Sequence, residues 1–116
     1  MRIGHMEIFV RDLPRARAFY VDVLGCRDMF PDNDQVVWLE LDGRELLLRP
    51  GEPPPAAARY ERSASAQVFY VDGLEEARAA LEARGLEFQG TDGSDRCLTF
   101  MDPDGNWFQL VDPAEH

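Results

Sequence analysis

Cysteine is scarce in this chain, and basic residues are outnumbered. Two cysteines, Cys26 and Cys97, stand far apart with no short metal-type spacing, so both read as small buried hydrophobes. No apolar run approaches the roughly 20 residues of a membrane-spanning helix. The N-terminus lacks the charged, then apolar, then small-residue order of a secretory signal. A soluble, cytoplasmic protein with no membrane partner is the expectation. Lys and Arg number 12 against 22 Asp and Glu, a formal net charge of −10. Such a chain has no basic footprint for nucleic-acid phosphates, whereas a cationic small molecule suits it. Surface carboxylates that only maintain solubility would give the same balance. Nothing resembles a phosphate loop, a nucleophile elbow or a paired-carboxylate glycosidase arrangement.

What is present suits one compact domain: 116 residues, 45% of them hydrophobic. Met6 to Val10 reads as a strand. Asp12 is placed to cap a helix whose apolar face is Leu13, Ala16, Tyr20 and Val23, with Pro14 in the first turn and Gly25 at the end. Strand-like runs follow at 35–41 and 45–48, joined by Asp42-Gly43, a hairpin-turn pair. The stretch 51–65, rich in Pro and Ala, reads as a linker.

Then the pattern restarts. Val68 to Val71 forms a strand, Asp72 is placed to cap a second helix with apolar face Leu74, Ala77 and Leu81, and Arg84-Gly85 closes it. Glu75 and Glu76 fall in the first turn, where the helix dipole favours them. Strands at 97–101 and 107–111 flank the turn sequence Asp102-Pro103-Asp104-Gly105-Asn106. Val10, Leu13, Ala16, Arg17 and Ala18 recur as Val71, Leu74, Ala77, Arg78 and Ala79, 61 positions on, and Gly43 and Leu48 recur as Gly105 and Leu110, 62 positions on. Two unrelated amphipathic helices would not hold one offset through strand, cap and helix. The chain is therefore read as a duplication, with modules at 1–50 and 66–113. Its class is α+β, because neither half buries its apolar face alone.

His5 on the first strand, the Asp12-Leu13 helix start, Phe19-Tyr20 with Leu24-Gly25 at its end, and the 102–106 turn before the last strand resemble the vicinal oxygen chelate superfamily. That group includes glyoxalase I, fosfomycin-resistance enzymes, extradiol dioxygenases and bleomycin-resistance proteins. The resemblance implies two βαβββ modules building an open, barrel-like mixed sheet with helices outside, and a homodimer that completes the cavities. Metal-using members hold a divalent ion with His, Gln or Glu at up to four equivalent positions, on the first and last strands of each module. Carried onto this chain, those positions are His5, Leu47, Ala66 and Gln109. Leu47 and Ala66 offer no donor atom, and two protein ligands fall short of the three that catalytic sites normally supply. A one-residue slip brings Gln67 or Leu46 instead, without a better set. No resident metal is therefore expected. If one binds, the candidate ligands are His5, Gln109 and Glu45, two residues before Leu47.

The expected function is metal-free binding or sequestration of a small organic molecule, such as an antibiotic, in a cleft lined by aromatic and acidic side chains. The candidate ligand-binding residues are His5, Glu7, Trp38, Glu40, Trp107 and Gln109. Glu7 lies two residues after His5 and shares its strand face, so the two are also a candidate proton-transfer pair. Strand aromatics, Phe9, Phe69 and Phe100 among them, pack a core or a dimer seam as often as a ligand. Arg44, Arg49 and Arg96 would either anchor an anion or stand solvated. The alternative is a lyase, isomerase or dioxygenase of the same superfamily that depends on Zn, Ni, Fe or Mn.

Overall fold

Alternating apolar side chains become two four-stranded mixed sheets in the computed structural model, which describes residues 1–115. The chain divides into two compact units at Pro54/Pro55. The first contains β1 (Met6–Val10), α1 (Leu13–Ala18) running on into a π-helical turn (Phe19–Val23), β2 (Arg27–Asp28), β3 (Val37–Leu41) and β4 (Arg44–Pro50). Its sheet order is β1-β4-β3-β2, with β1 parallel to β4 and the other pairs antiparallel.

The second unit contains a 3-10 turn (Tyr60–Arg62), β5 (Gln67–Tyr70), α2 (Leu74–Ala83), β6 (Phe88–Thr91), β7 (Cys97–Met101) and β8 (Trp107–Val111). Its order, β5-β8-β7-β6, repeats the first, again with one parallel pair beside antiparallel ones. Each unit is thus a βαβββ module with an open sheet, the α+β architecture expected from the repeat.

Local chemistry explains the elements. The Asp12 carboxylate accepts from the Arg15 amide and caps α1. In the β3–β4 turn, Asp42 and Gly43 both take positive φ, 54° and 73°, the pattern of a two-residue hairpin. The β7–β8 turn is held by Asp102, whose carboxylate accepts from the amides of Asp104 and Asn106 and from the Asn106 side chain.

Asp72 does not cap the second helix. The cap position is Gly73, at φ 82°, which L side chains rarely adopt. The carboxylate that serves this helix start comes from the end of β8: Asp112 accepts from the Gly73 amide at 2.7 Å and from Ala114 at 2.8 Å. Those two bonds hold its carboxyl below the usual carboxylate range. The short strands β2 and β6 also escaped the sequence pattern, being too brief or too exposed to show alternation.

Each sheet buries one face in a core. Ile8, Val10, Val37, Leu39, Leu46 and Leu48 do so in the first unit, with Ala16 and Tyr20. In the second, Phe69, Phe108 and Phe100 stack at ring separations of 5.3 and 5.4 Å, and Phe88 meets Phe100 edge-on. Burying each such ring stabilises the fold by about 1.5–3 kcal/mol, and stacking adds to it. Those strand aromatics are core, as one of the two sequence readings had it.

Candidate functional site

The other face of each sheet carries the sequence candidates. In the first unit the register runs Glu7 beside Leu47 and Leu47 beside Trp38. In the second, the equivalent row is Val68, Gln109 and Thr99. The two rows keep the offsets of the sequence repeat, so Leu47 and Gln109 are structural counterparts.

The first unit's face is charged and exposed along its edge, at His5, Glu7, Phe9 and Arg49, while Leu47 in the same row is buried and Trp38 half-buried. Glu7 stands at its centre: His5 Nε2 lies 2.9 Å from one carboxylate oxygen, and Arg49 Nη1 donates to the other at 2.7 Å. Arg49 first and His5 second hold the Glu7 carboxyl below its ordinary value of 4.5. In the neutral imidazole, an ionised carboxylate on Nε2 selects the tautomer that leaves Nδ1 as an acceptor. The other sides of this network are aromatic. The His5 ring meets Trp38 edge-on at 4.8 Å, and the Arg49 guanidinium carbon lies 5.6 Å from the centre of the Phe9 ring. Phe9 stays 46% exposed, a large apolar ring left at the sheet edge. Further along the face, Glu40 pairs with Arg27 at 3.6 Å and stands opposite Glu45 in the strand register.

The second unit's face is covered. Gln109 and Trp107 are buried. The Gln109 amide donates to Asp92 at 3.0 Å. Trp107 donates its indole N–H to the Ala57 carbonyl at 2.9 Å, and the Tyr60 ring meets the indole edge-on at 6.1 Å. Residues 55–62, part of the stretch read as a linker, thus pack on the site face of this sheet. Burial pushes the Tyr60 phenol up, and the Asp92 charge adds to it. Burial, with help from Asp92, pushes the Cys97 thiol up, and in the first unit burial with the Glu40 charge pushes Cys26 up to about 11. Neither cysteine is a ready nucleophile.

Within either unit, the positions carried over from the family pattern offer an incomplete donor set for a divalent ion. Of the four positions carried over from the family pattern, Leu47 and Ala66 are aliphatic, and the Gln109 amide is already bonded within its own unit. His5 is joined to Glu7, but the guanidinium of Arg49 is bonded to the same carboxylate. Among the described residues no three His, Cys, Asp or Glu side chains converge as a metal cage.

His5, Glu7 and Trp38 come together in the first unit, with Glu40 and Glu45 on the same sheet; Trp107 and Gln109 come together in the second. Three residues of these clusters escaped the sequence reading: Arg49 as the partner of Glu7, and Tyr60 and Asp92 around Gln109. Arg49 had a signal, since it lies two residues after Leu47 on one strand and so shares its face. Tyr60 sits in a segment without periodicity, and nothing local pointed to it.

A model of the Glyoxalase/Bleomycin resistance protein/Dioxygenase superfamily matches residues 2–110. Catechol-2,3-dioxygenase of Bacillus subtilis (strain 168) is 29% identical over 115 residues, covering 93% of this chain and 40% of the relative. Lactoylglutathione lyase of Schizosaccharomyces pombe is 27% identical over 145 residues, covering 98% of this chain and 48% of the relative. The chain spans less than half the length of either curated relative. In fold it is similar to the fosfomycin resistance protein FosX of Listeria monocytogenes in its complex with Mn(II) and sulfate. That structure gives a TM-score of 0.73 at 18% identity, covering 96% of this chain and 89% of FosX.

Proposed function

The chain belongs to the Glyoxalase/Bleomycin resistance protein/Dioxygenase superfamily, and from that premise we propose that it binds a small organic molecule, without a resident metal, on the open face of the first sheet. One observation carries the reading: a carboxylate bridging an imidazole and a guanidinium stands beside Trp38, in the row where Leu47 occupies a family ligand position. The indole and Phe9 rings supply apolar area, and His5 Nδ1, Glu40 and Glu45 supply oriented polar groups. An overall charge of −10 draws a cationic ligand toward the protein. Sequestration of this kind breaks no bond; its affinity comes from burying the ligand's apolar surface and orienting a few hydrogen bonds. A cationic or aromatic antibiotic is the first class to test. A homodimer that completes the cavity belongs to the same reading.

The test is a thermal-shift panel of cationic glycopeptides, quinones and peptide antibiotics on protein purified without chelator, each repeated with EDTA. A ligand that binds only the native state raises the melting temperature, by mass action worth about 2.7 kcal/mol at one hundred times Kd. A chelator-insensitive shift that Trp38→Ala and Glu7→Gln both abolish supports the proposal. The Mn(II) complex of FosX favours the rival reading, a metal-dependent lyase, isomerase or dioxygenase. Stoichiometric Ni, Zn, Fe or Mn by elemental analysis, lost in His5→Ala, would establish that rival and sink the metal-free reading.

A further inference from the structure

Aspartate is followed by glycine four times in this chain, at Asp42-Gly43, Asp72-Gly73, Asp92-Gly93 and Asp104-Gly105. A glycine has no side chain to shield its amide nitrogen, so that nitrogen can reach the carboxyl carbon of the aspartate before it. The structure restrains three of the four pairs. The Gly73 amide donates to Asp112 at 2.7 Å. The Asp92 carboxylate accepts from Gln109 at 3.0 Å, and the Asp92 amide donates to the Cys97 carbonyl. The Gly105 amide donates to the Asp102 carbonyl at 3.0 Å, and Ala56, in the strap of residues 55–62, crowds Gly105.

Asp42-Gly43 is different. Both residues are exposed at the tip of the β3–β4 hairpin, and among the described residues neither has a hydrogen-bond or ion-pair partner. A Cβ added at Gly43 would touch nothing. Asp42 also holds φ 54°, a left-handed conformation unfavourable for an L residue, which leaving the turn relieves. We propose that Asp42 is a site of spontaneous isoaspartate formation. The Gly43 nitrogen attacks the side-chain carboxyl carbon of Asp42 in its acid form. A C–N bond forms, a C–O bond breaks, and the amide hydrogen leaves with the carboxyl hydroxyl as water, giving a cyclic succinimide. Water then adds back at either ring carbonyl. Opening at the main-chain carbonyl leaves the β-carbon inside the backbone and the former main-chain carboxyl as the free acid. The added methylene lengthens a two-residue turn that sets Glu40 opposite Glu45. This chemistry does not depend on whether that face binds a ligand.

The native protein is held in warm, mildly acidic water enriched in heavy oxygen, because each reopened ring keeps one solvent oxygen, and is then digested with trypsin in ordinary water. Cleavage after arginine places the four pairs in separate peptides, 28–44, 63–78, 85–96 and 97–116. Peptide 28–44 should take up label about five- to tenfold faster than each of the others, the worth of one hydrogen bond expressed as a rate. Fragment spectra should place the oxygen at Asp42, and part of the labelled peptide should elute apart from its unmodified form, as isoaspartate. In urea, where the restraints are gone, the four rates should converge. Equal rates in the native protein, a faster peptide among the other three, label in 28–44 away from Asp42, or the same ranking persisting in urea overturns the inference.

Discussion

The two sheets share topology and register, yet their site faces end up opposite in character. In the first unit the face carries His5, Glu7, Arg49 and Phe9 at an open edge. In the second, β7 from Cys97 to Phe100 and the whole of β8 are buried, because the core lies on one side and the Tyr60 strap on the other. A duplicated scaffold fixes where side chains point, not whether anything covers them. The first unit has a charged, exposed edge, and the second a packed interior against which the Tyr60 ring lies. Gln109 shows the consequence: it is engaged within its own unit, donating to Asp92.

The largest effect should come from the side of the sheet that both units bury. Phe108→Ala removes the middle ring of the Phe69 and Phe100 stack, and should cost about 3–5 kcal/mol in denaturant unfolding. Trp38→Ala, on the open face, should cost clearly less; equal losses would mean that the first face is also core.

Gly43 and Gly105, equivalent in the repeat, sharpen the contrast. Both take positive φ, 73° and 85°. An added methyl at Gly43 meets open space, so Gly43→Ala should cost about 1 kcal/mol for backbone strain alone. At Gly105 the same methyl also collides with Ala56, so Gly105→Ala should cost more and raise hydrogen exchange across 55–62. Equal costs would show that the strap contact is unimportant.

The smallest effect is electrostatic and confined to the first face. The folded-state pKa of Glu7 lies below its ordinary 4.5. Its contribution to stability is therefore complete above the unfolded value and lost as pH falls through the lowered one. Glu7→Gln should lower stability near neutrality by a small amount, the pair being surface-exposed, and flatten the acid limb by that same amount, so that the two proteins converge at low pH. An unaltered acid limb in Glu7→Gln would show that the bridge to Arg49 and His5 is not formed in solution.

Much of this was legible beforehand because it is local. The repeat, the Asp12 cap, the hairpin at Asp42-Gly43 and the apolar helix faces follow from spacing and turn chemistry, which a linear chain carries in itself. The nearness of His5 to Glu7 was expected from strand alternation, but β1 begins at Met6, so His5 stands just before the strand rather than on it. The Asp72 cap misled because the competing carboxylate, Asp112, is 39 residues away from the Gly73 amide it satisfies.

The amino-acid order alone therefore settled the α+β repeat and the family, since each is a matter of residue type at a fixed offset. Tertiary structure decided that Arg49 bridges to Glu7, that Asp92 orients Gln109, and that Tyr60 seats against Trp107. Those contacts join residues 42, 17 and 47 positions apart, and the physical reason is common to all three: side chains so distant in sequence have no preference for one another until the backbone has brought them together.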